Sequence, residues 1–267
     1  TEGKLWYARA NVLSGWQMKD LVFIAIPRNA SGSIRTALES KPNFYTYLFQ
    51  EELKRNIEPE LHISSIHSNW MHTKNCLDKV GKMWDDCVKF TVIRNPWSRV
   101  VSMFYHDAAN FASLSFPDFL RSLPSIVQGN VRLAKDRRTI IIPKFGAKLE
   151  DSTPHKIIAE SSWHPDRARF QYHVLPQFCH FYQEDSGSVL DCILKYENVD
   201  LELNSFLEKN GHEPVVLEKI NYSAKNDERR GRSTNKHYTE YYTEPWMIML
   251  VEALYKVDVK LGNYTFI

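Results

Sequence analysis

The chain has 267 residues, a formal net charge of +2, 43% hydrophobic residues and four cysteines. This length suffices for one large α/β domain with a substantial core. A charge so close to zero gives no electrostatic argument for nucleic acid or an anionic membrane as partner, and no run of about twenty apolar residues indicates a transmembrane span. The cysteines are too scattered for a disulfide scaffold or a zinc site, although a single Cys76–Cys87 bridge stays open.

The first predicted elements are an apolar strand at Leu21–Ile26, a small polar loop and a helix from about Ser33. This arrangement points backbone N–H groups and the positive end of a helix dipole at an anion. No Lys-Ser or Lys-Thr pair follows the loop, so it is not of the nucleoside triphosphatase type. The predicted phosphate-binding residues are Arg28, Asn29, Ala30, Ser31, Gly32 and Ser33.

The next predicted elements are a strand at Leu61–Ile66 and a helix from Thr73 to a stop at Gly81. Histidines surround this strand, and histidine is the natural general base near neutral pH. His67 stands at the exit of the strand, on the sheet edge expected for ligands, so we favour it as the catalytic base. His72, directly before the helix start, is the alternative, and a structural role stays open for both.

A strand at Val88–Ile93 stops abruptly at the cation Arg94. Asn95 then suits a helix N-cap and Pro96 the first helical position, and Ser102 follows Arg94 by about two turns. In open α/β sheets ligands bind at the carboxyl ends of the strands, so an arginine and a hydroxyl converging there predict a phosphate site. The alternative is an ordinary strand-to-helix turn with a solvated arginine.

The rest of the chain continues the alternation of strands and helices. A capped helix is predicted from Ser115, another ends before Gly211, and a last helix begins at Thr243–Pro245. Residues 124–170 are the least regular, with a strand-like Thr139–Ile142, and we expect an acceptor-binding insertion there. The pattern predicts a single α/β domain over residues 1–267, a P-loop-like three-layer fold with a central parallel β-sheet flanked by helices.

The two predicted phosphate elements together resemble the phosphosulfate-dependent sulfotransferases, in particular the carbohydrate O-sulfotransferase group called sulfotransferase family 2. There, a Pro-Lys-x-Ala-x-x-Ser loop holds the 5′-phosphosulfate of 3′-phosphoadenosine 5′-phosphosulfate (PAPS), and an Arg-Asn-Pro-x-x-Arg-x-x-Ser element holds its 3′-phosphate. Pro27–Ser33 is similar to the first and Arg94–Ser102 matches the second. Further similar segments are His173–Gln177, Val189–Asn198, Ile220–Ser223, His237–Tyr242 and Gly262–Phe266.

The resemblance implies roles for the donor-binding residues. Arg28 would lie on the oxygen that bridges sulfate and phosphate, the amides of Asn29–Ser33 would hold the 5′-phosphate, and Arg94 and Ser102 would hold the 3′-phosphate. The family normally has lysine at the position of Arg28. Because arginine is permanently charged, the exchange keeps donor binding but argues against proton donation of the lysine type.

Further implied contacts lie downstream. His173 and Gln177 match positions that contact the acceptor, with a hydrogen-bonded pair near a strand start as the alternative. A basic loop near the C-terminal third folds over the nucleotide in the family, which makes Arg230, Arg232 and Ser233 candidate lid residues. A solvated loop is the alternative for this run.

The expected function is sulfuryl transfer from PAPS, with 3′,5′-adenosine bisphosphate (PAP) as product and no metal. A carbohydrate acceptor is favoured, with a small-molecule natural product or a non-catalytic binder of nucleotide or sulfated glycan as alternatives. An ATP-dependent phosphotransferase is disfavoured by the missing Lys-Ser/Thr pair. A glycan on the sequon at Asn29 would block the donor, which favours a cytoplasmic location. The Golgi lumen, with an anchor upstream of Thr1, stays open.

Overall fold

The computed structural model describes residues 18–39, 41, 43–46, 70–79, 81–106, 115–128, 140–143, 154–157, 173–183, 187–218 and 236–267. The described strands are β1 (Leu21–Ile24), β2 (Phe44–Thr46), β3 (Val88–Ile93), β4 (Ile140–Pro143), β5 (Pro154–Ile157), β6 (Tyr182–Gln183), β7 (Gly187–Ser188) and β8 (Cys192–Lys195). The described α-helices are α1 (Ser31–Leu38), α2 (Trp70–Lys79), α3 (Pro96–His106), α4 (Phe116–Gln128), α5 (Val199–Lys209), α6 (Pro245–Leu254) and α7 (Lys256–Gly262). Short 3₁₀ helices lie at Trp84–Asp86, Gln177–His180, Tyr196–Asn198 and Tyr238–Tyr241.

The central sheet has four parallel strands in the order β2-β1-β3-β8. Leu21 of β1 pairs with Val88 of β3, and Phe90 of β3 pairs with Cys192 of β8. Because the strands are parallel and nearly in step, their carboxyl ends meet at one edge. The loops after β1, β3 and β8 therefore lie side by side there, as expected for a ligand-binding edge.

Helices cover both faces of this sheet, which explains why its strands are continuous apolar runs. On one face Phe23 and Phe90 stack with ring centroids 5.0 Å apart, and Phe206 of α5 lies 4.6 Å from Phe90. On the other face Val22 and Ile24 pack in one cluster with Leu77 of α2 and with Trp84. The predicted three-layer α/β fold with a central parallel sheet is confirmed.

A second cluster of buried residues joins α3 to α4 and α6. Phe104 and Trp97 of α3 pack there with residues of α4 and α6. The indole Nε1 of Trp97 donates to the carbonyl of Ile248 at 3.1 Å, and the hydroxyl of Tyr242 donates to the carbonyl of Trp97 at 2.9 Å. These bonds fix the first turn of α3, which directly follows the ligand-binding edge.

Several predicted boundaries shift in the structure. The strand β1 ends at Ile24 rather than Ile26, and α1 begins at Ser31 rather than Ser33. The segment Val189–Asn198 resembles a late strand of the family, but in the structure its strand is confined to Cys192–Lys195 and a 3₁₀ helix follows. The predicted strand at Leu61–Ile66 lies outside the described residues.

Two further expectations need correction. The predicted last helix ends at Leu254, and α7 follows after Tyr255, because the backbone leaves helical geometry there without a glycine or proline. Cys87 is a buried free thiol, so the Cys76–Cys87 bridge does not form. Within residues 124–170 the structure describes the end of α4 and an antiparallel β4–β5 pair. Among the described residues, no helix combines the length and apolarity needed to cross a bilayer.

Candidate functional site

The loop after β1 has an unusual backbone. Arg28 and Ala30 take positive φ angles of 69° and 58°, in the left-handed region that only glycine adopts freely. Such residues cost on the order of 1–3 kcal/mol each and persist where the surrounding structure holds them. The strain concentrates in the four-residue turn Pro27–Ala30, at the point where the chain enters α1.

The start of α1 is suited to an anion. Its first intrahelical hydrogen bond runs from the amide of Ile34 to the carbonyl of Ala30 at 3.0 Å. The amides of Gly32 and Ser33 lie in the first turn, whose N–H groups a helix leaves for an external acceptor. The first turn carries no acidic side chain, and among the described residues a Cβ placed on Gly32 would meet nothing within 4 Å. Within the described part of the chain, open space therefore lies beside Gly32.

The element after β3 is regular and stabilised locally. The Oδ1 of Asn95 accepts hydrogen bonds from the amides of Trp97 and Ser98 at 3.1 and 3.3 Å, so Asn95 caps α3 as predicted. The guanidinium of Arg94 donates from Nε and Nη2 to the hydroxyl of Ser98 at 3.0 and 2.8 Å. It also lies 4.2 Å from the centre of the Tyr196 ring, a cation–π contact.

Burial lowers the pKa of Arg94, while the neighbouring Tyr196 and Glu197 raise it. Arginine starts far above neutral pH, so the side chain stays a cation. The backbone amide of Asn95 donates to the Glu197 carboxylate at 2.8 Å, which places this acid beside the cation. The Arg94 guanidinium therefore supplies a permanent positive charge to the site, and its contacts with Ser98 and Tyr196 orient it.

The two predicted phosphate elements meet directly. The guanidinium of Arg28 donates from Nε and Nη2 to the hydroxyl of Ser102 at 3.1 and 2.9 Å. Nη1 of Arg94 donates to the backbone carbonyl of Arg28 at 3.2 Å. The guanidinium of Arg28, predicted for the 5′ side, thus hydrogen-bonds to the hydroxyl predicted for the 3′-phosphate, and Arg28, Arg94 and Ser102 lie together in one site.

Gln177 lies between the two elements and is fully buried. Its Oε1 accepts from Nδ2 of Asn29 at 2.6 Å and from the amide of Arg94 at 2.8 Å, and its Nε2 donates to the carbonyl of Arg94 at 2.9 Å. The predicted acceptor contact of Gln177 stays a prediction. The contacts that the structure shows are with the phosphate elements instead, and His173 is also buried beside them.

Comparison with known families identifies the class of protein. A family model described as "Sulfotransferase family" matches residues 17–265, which is nearly the whole chain. The chain belongs to the sulfotransferase family. No curated protein and no solved structure gives a significant match. Sulfuryl transfer is the general reaction of this family, so the protein is a transferase of that class.

No role was assigned to Arg99 of this sulfotransferase from the sequence. In the structure its side chain connects the loop after β1 with the segment that precedes Gln177. Only 1% of its surface is exposed. Its guanidinium donates to the carbonyls of Pro27 at 3.2 Å, Leu175 at 2.9 Å and His173 at 2.9 Å. The one available signal was its place as the second arginine of the Arg-Asn-Pro element.

Arg99 also shares its surroundings with a buried acid. Burial lowers the pKa of Arg99, whereas the nearby Asp258 raises it. The Asp258 carboxylate accepts from the amides of Gln177 at 2.7 Å and Phe178 at 3.0 Å. Burial raises the pKa of Asp258, while these two amides and Arg99 lower it. The segment around Gln177 is therefore held from α3 on one side and α7 on the other.

The side chains of the remaining predicted site residues of the sulfotransferase lie outside the described part of the structure. His67, Arg230, Arg232 and Ser233 lie outside the described residues. His72 falls within α2, and its side chain also lies outside the described part. Within the described ranges, no group of three or more His, Cys, Asp or Glu side chains is placed to hold a metal ion.

Proposed function

We propose that this sulfotransferase uses PAPS to sulfate a hydroxyl group, with a carbohydrate as the favoured acceptor. The observation that carries the proposal is the pair of anion-binding elements joined at one sheet edge by the Arg28–Ser102 hydrogen bond. PAPS carries phosphates at both ends of its ribose, so its recognition calls for two such elements. A single triphosphate chain would call for one loop with its lysine and a metal.

The residues divide between the two ends of the donor. The amides from Asn29 to Ser33 would bind the 5′-phosphate at the start of α1. A guanidinium carries five N–H groups, and described residues take three of those on Arg94. The others, with the hydroxyl of Ser102, would bind the 3′-phosphate. Arg230, Arg232 and Ser233 would form a lid over the nucleotide.

PAPS supplies an activated sulfuryl group whose S–O bond to the 5′-phosphate breaks as the acceptor oxygen attacks. The electron pair remains on the phosphate, so negative charge grows there during the reaction. The Arg28 guanidinium, which belongs to the loop whose amides are assigned to the 5′-phosphate, would stabilise this charge without giving up a proton. Charge stabilisation is therefore the contribution that we assign to Arg28.

The acceptor hydroxyl must lose its proton to a base, and His67 is the proposed one. We expect His67→Ala to reduce turnover by roughly 10²–10⁴ while PAP binding stays unchanged, because only proton transfer is removed. Steady-state kinetics and PAP titration measure the two effects separately. His72→Ala is the matched comparison: a near-normal His67→Ala with an inactive His72→Ala moves the base to His72.

The experiment that tests the function is transfer of radiolabelled sulfate from PAPS to a panel of acceptors. The panel contains oligosaccharides with free hydroxyls and small alcohols and phenols. We expect label on a sugar hydroxyl and formation of an equal amount of PAP. Label on small molecules alone would redirect the acceptor assignment to natural products. Tight PAP binding without transfer to any acceptor would contradict the enzyme and favour a non-catalytic binder.

A further inference from the structure

The carboxamide of Gln177 makes two hydrogen bonds with the backbone of a single residue, as a neighbouring β-strand would. Its Oε1 accepts from the amide of Arg94 and its Nε2 donates to the carbonyl of the same residue. A third bond, at 2.6 Å, comes from the side chain of Asn29 in the loop after β1. Asn29 itself is anchored to β3 through a 2.7 Å bond to the carbonyl of Val92. One side chain therefore contacts both phosphate elements.

The backbone around Gln177 is itself held in place by hydrogen bonds. Its backbone amide and that of Phe178 donate to the buried carboxylate of Asp258 in α7. Just before it, the carbonyls of His173 and Leu175 accept from the guanidinium of Arg99. A movement of the carboxamide would thus require the surrounding backbone to move with it.

In each element, Gln177 hydrogen-bonds to a residue that carries or adjoins the groups assigned to bind a phosphate. The Arg94 peptide carries the guanidinium assigned to the 3′-phosphate, and Asn29 belongs to the loop whose amides are assigned to the 5′-phosphate. We propose that Gln177 is a positioning residue that sets the separation of these two ligand groups, and so the preference of the site for a nucleotide with both phosphates. This inference rests on the function proposed above.

The hydrogen-bond polarity of the site determines which substitutions are informative. Gln177→Met keeps the length of the side chain but leaves the amide and carbonyl of Arg94 without their side-chain partner, and it leaves Nδ2 of Asn29 with its bond to Val92. Gln177→Glu keeps the shape but replaces the Nε2 donor by an oxygen that faces the Arg94 carbonyl. Asn29→Ala removes the bond from the loop to Gln177 together with the bond from Asn29 to the Val92 carbonyl, and it leaves the pairing of Gln177 with Arg94 in place.

The chain offers a matched control in Asn204 of α5. Its Nδ2 donates to the carbonyl of Val215 at 2.9 Å and its Oδ1 accepts from the amide of the same residue at 2.7 Å. This is the same two-point pairing, made away from the phosphate elements. Asn204→Leu therefore reports the effect of losing such a pairing on the fold alone.

The test is calorimetric titration of wild type and variants with PAP and with adenosine 5′-monophosphate. We expect Gln177→Met to reduce the ratio of the two affinities about tenfold, the scale of coupling between neighbouring groups. Asn204→Leu should leave the ratio unchanged. Asn29→Ala should reduce it in the same direction, and adding Asn29→Ala to Gln177→Met should have little further effect.

Two failures can be told apart. If wild type binds the two nucleotides equally, the proposed donor site is wrong. If wild type prefers PAP and Gln177→Met keeps the whole preference, the donor site stands and the positioning role of Gln177 is overturned. Should Gln177→Met not fold, an unchanged ratio in Asn29→Ala and Gln177→Glu overturns the role, and a reduced ratio in both supports it.

Discussion

The two phosphate elements follow neighbouring strands of one sheet, yet they differ in how they are held. The element after β3 combines local bonds with distant ones: Asn95 caps α3 and Arg94 bonds to Ser98 four residues later, while Gln177 bonds to the backbone of Arg94 from 83 residues away. The loop after β1 has two strained residues and depends on partners far away in sequence. Asn29 is held by Gln177, 148 residues later, and Arg28 by Ser102, 74 residues later.

The comparison distinguishes backbone geometry that a local sequence is enough to produce from geometry that needs tertiary contacts. A cap and a proline are sufficient to start a helix wherever they occur. A left-handed turn without glycine forms only when tertiary contacts offset its strain. We therefore expect the loop after β1 to respond more strongly than the element after β3 to changes at the distant residues that hold it.

The largest effect is expected from Arg99→Met. The change leaves three buried carbonyls without their donor, including that of Pro27 at the loop. Loss of one partner from such a network costs about 3–5 kcal/mol, so the free energy of unfolding in denaturant should fall by that amount. Arg121→Met is the control, since Arg121 makes an exposed salt bridge with Asp118 and a cation–π contact with the Trp246 ring, and its loss should cost much less. Comparable stability of the two variants would refute the anchoring role of Arg99.

Arg28→Met should have the next largest effect, on turnover rather than on folding. Removing the charge should reduce turnover by roughly 10²–10³, the scale for loss of one preorganised donor. PAP binding should persist, because the helix amides and the 3′ site remain. Arg28→Lys is the matched variant and should stay within about tenfold of wild type, since it keeps a cation. Full turnover in Arg28→Met would mean that Arg28 has no part in the reaction.

The smallest effect concerns the strain in the loop. Ala30→Gly places glycine where φ is already positive, so the stability lost with the methyl group should be recovered from relief of strain. Ala37→Gly, in the last turn of α1, makes the same chemical change in a helical backbone and should cost up to about 1 kcal/mol. Thermal unfolding of the two variants measures the difference. If both lose the same stability, the left-handed turn carries no strain.

Local signals explain what the sequence predicted well. The strand at Val88–Ile93 and the helix from Pro96 were predicted at their observed bounds, because an apolar run, a cap and a proline lie next to one another. The anion-binding role of the loop after β1 was inferred from its composition and stays a prediction. The start of α1 was misplaced by two residues, since the left-handed turn at Arg28 and Ala30 contains no glycine to indicate it.

Tertiary contacts explain what the sequence could not show. The burial of Arg99 depends on carbonyls that come from the β1 loop and from residues 173 and 175. An arginine on an amphipathic helix is ordinarily exposed, so pattern analysis gave it no role. The family resemblance implied an acceptor contact for Gln177, whereas its bonds to Asn29 and Arg94 join residues that are 148 and 83 positions apart in sequence. No local sequence pattern predicts a contact between residues so far apart in the chain.

The central claim is that the two differently built elements together form one site for a nucleotide with two phosphates. The most direct test compares stabilisation of the wild-type chain by PAP and by adenosine 5′-monophosphate at equal concentration. At 100 times its dissociation constant PAP should raise the free energy of unfolding by about 2.7 kcal/mol, and the monophosphate should do much less. Equal stabilisation by the two nucleotides would contradict the assignment of Arg94 and Ser102 to the 3′-phosphate.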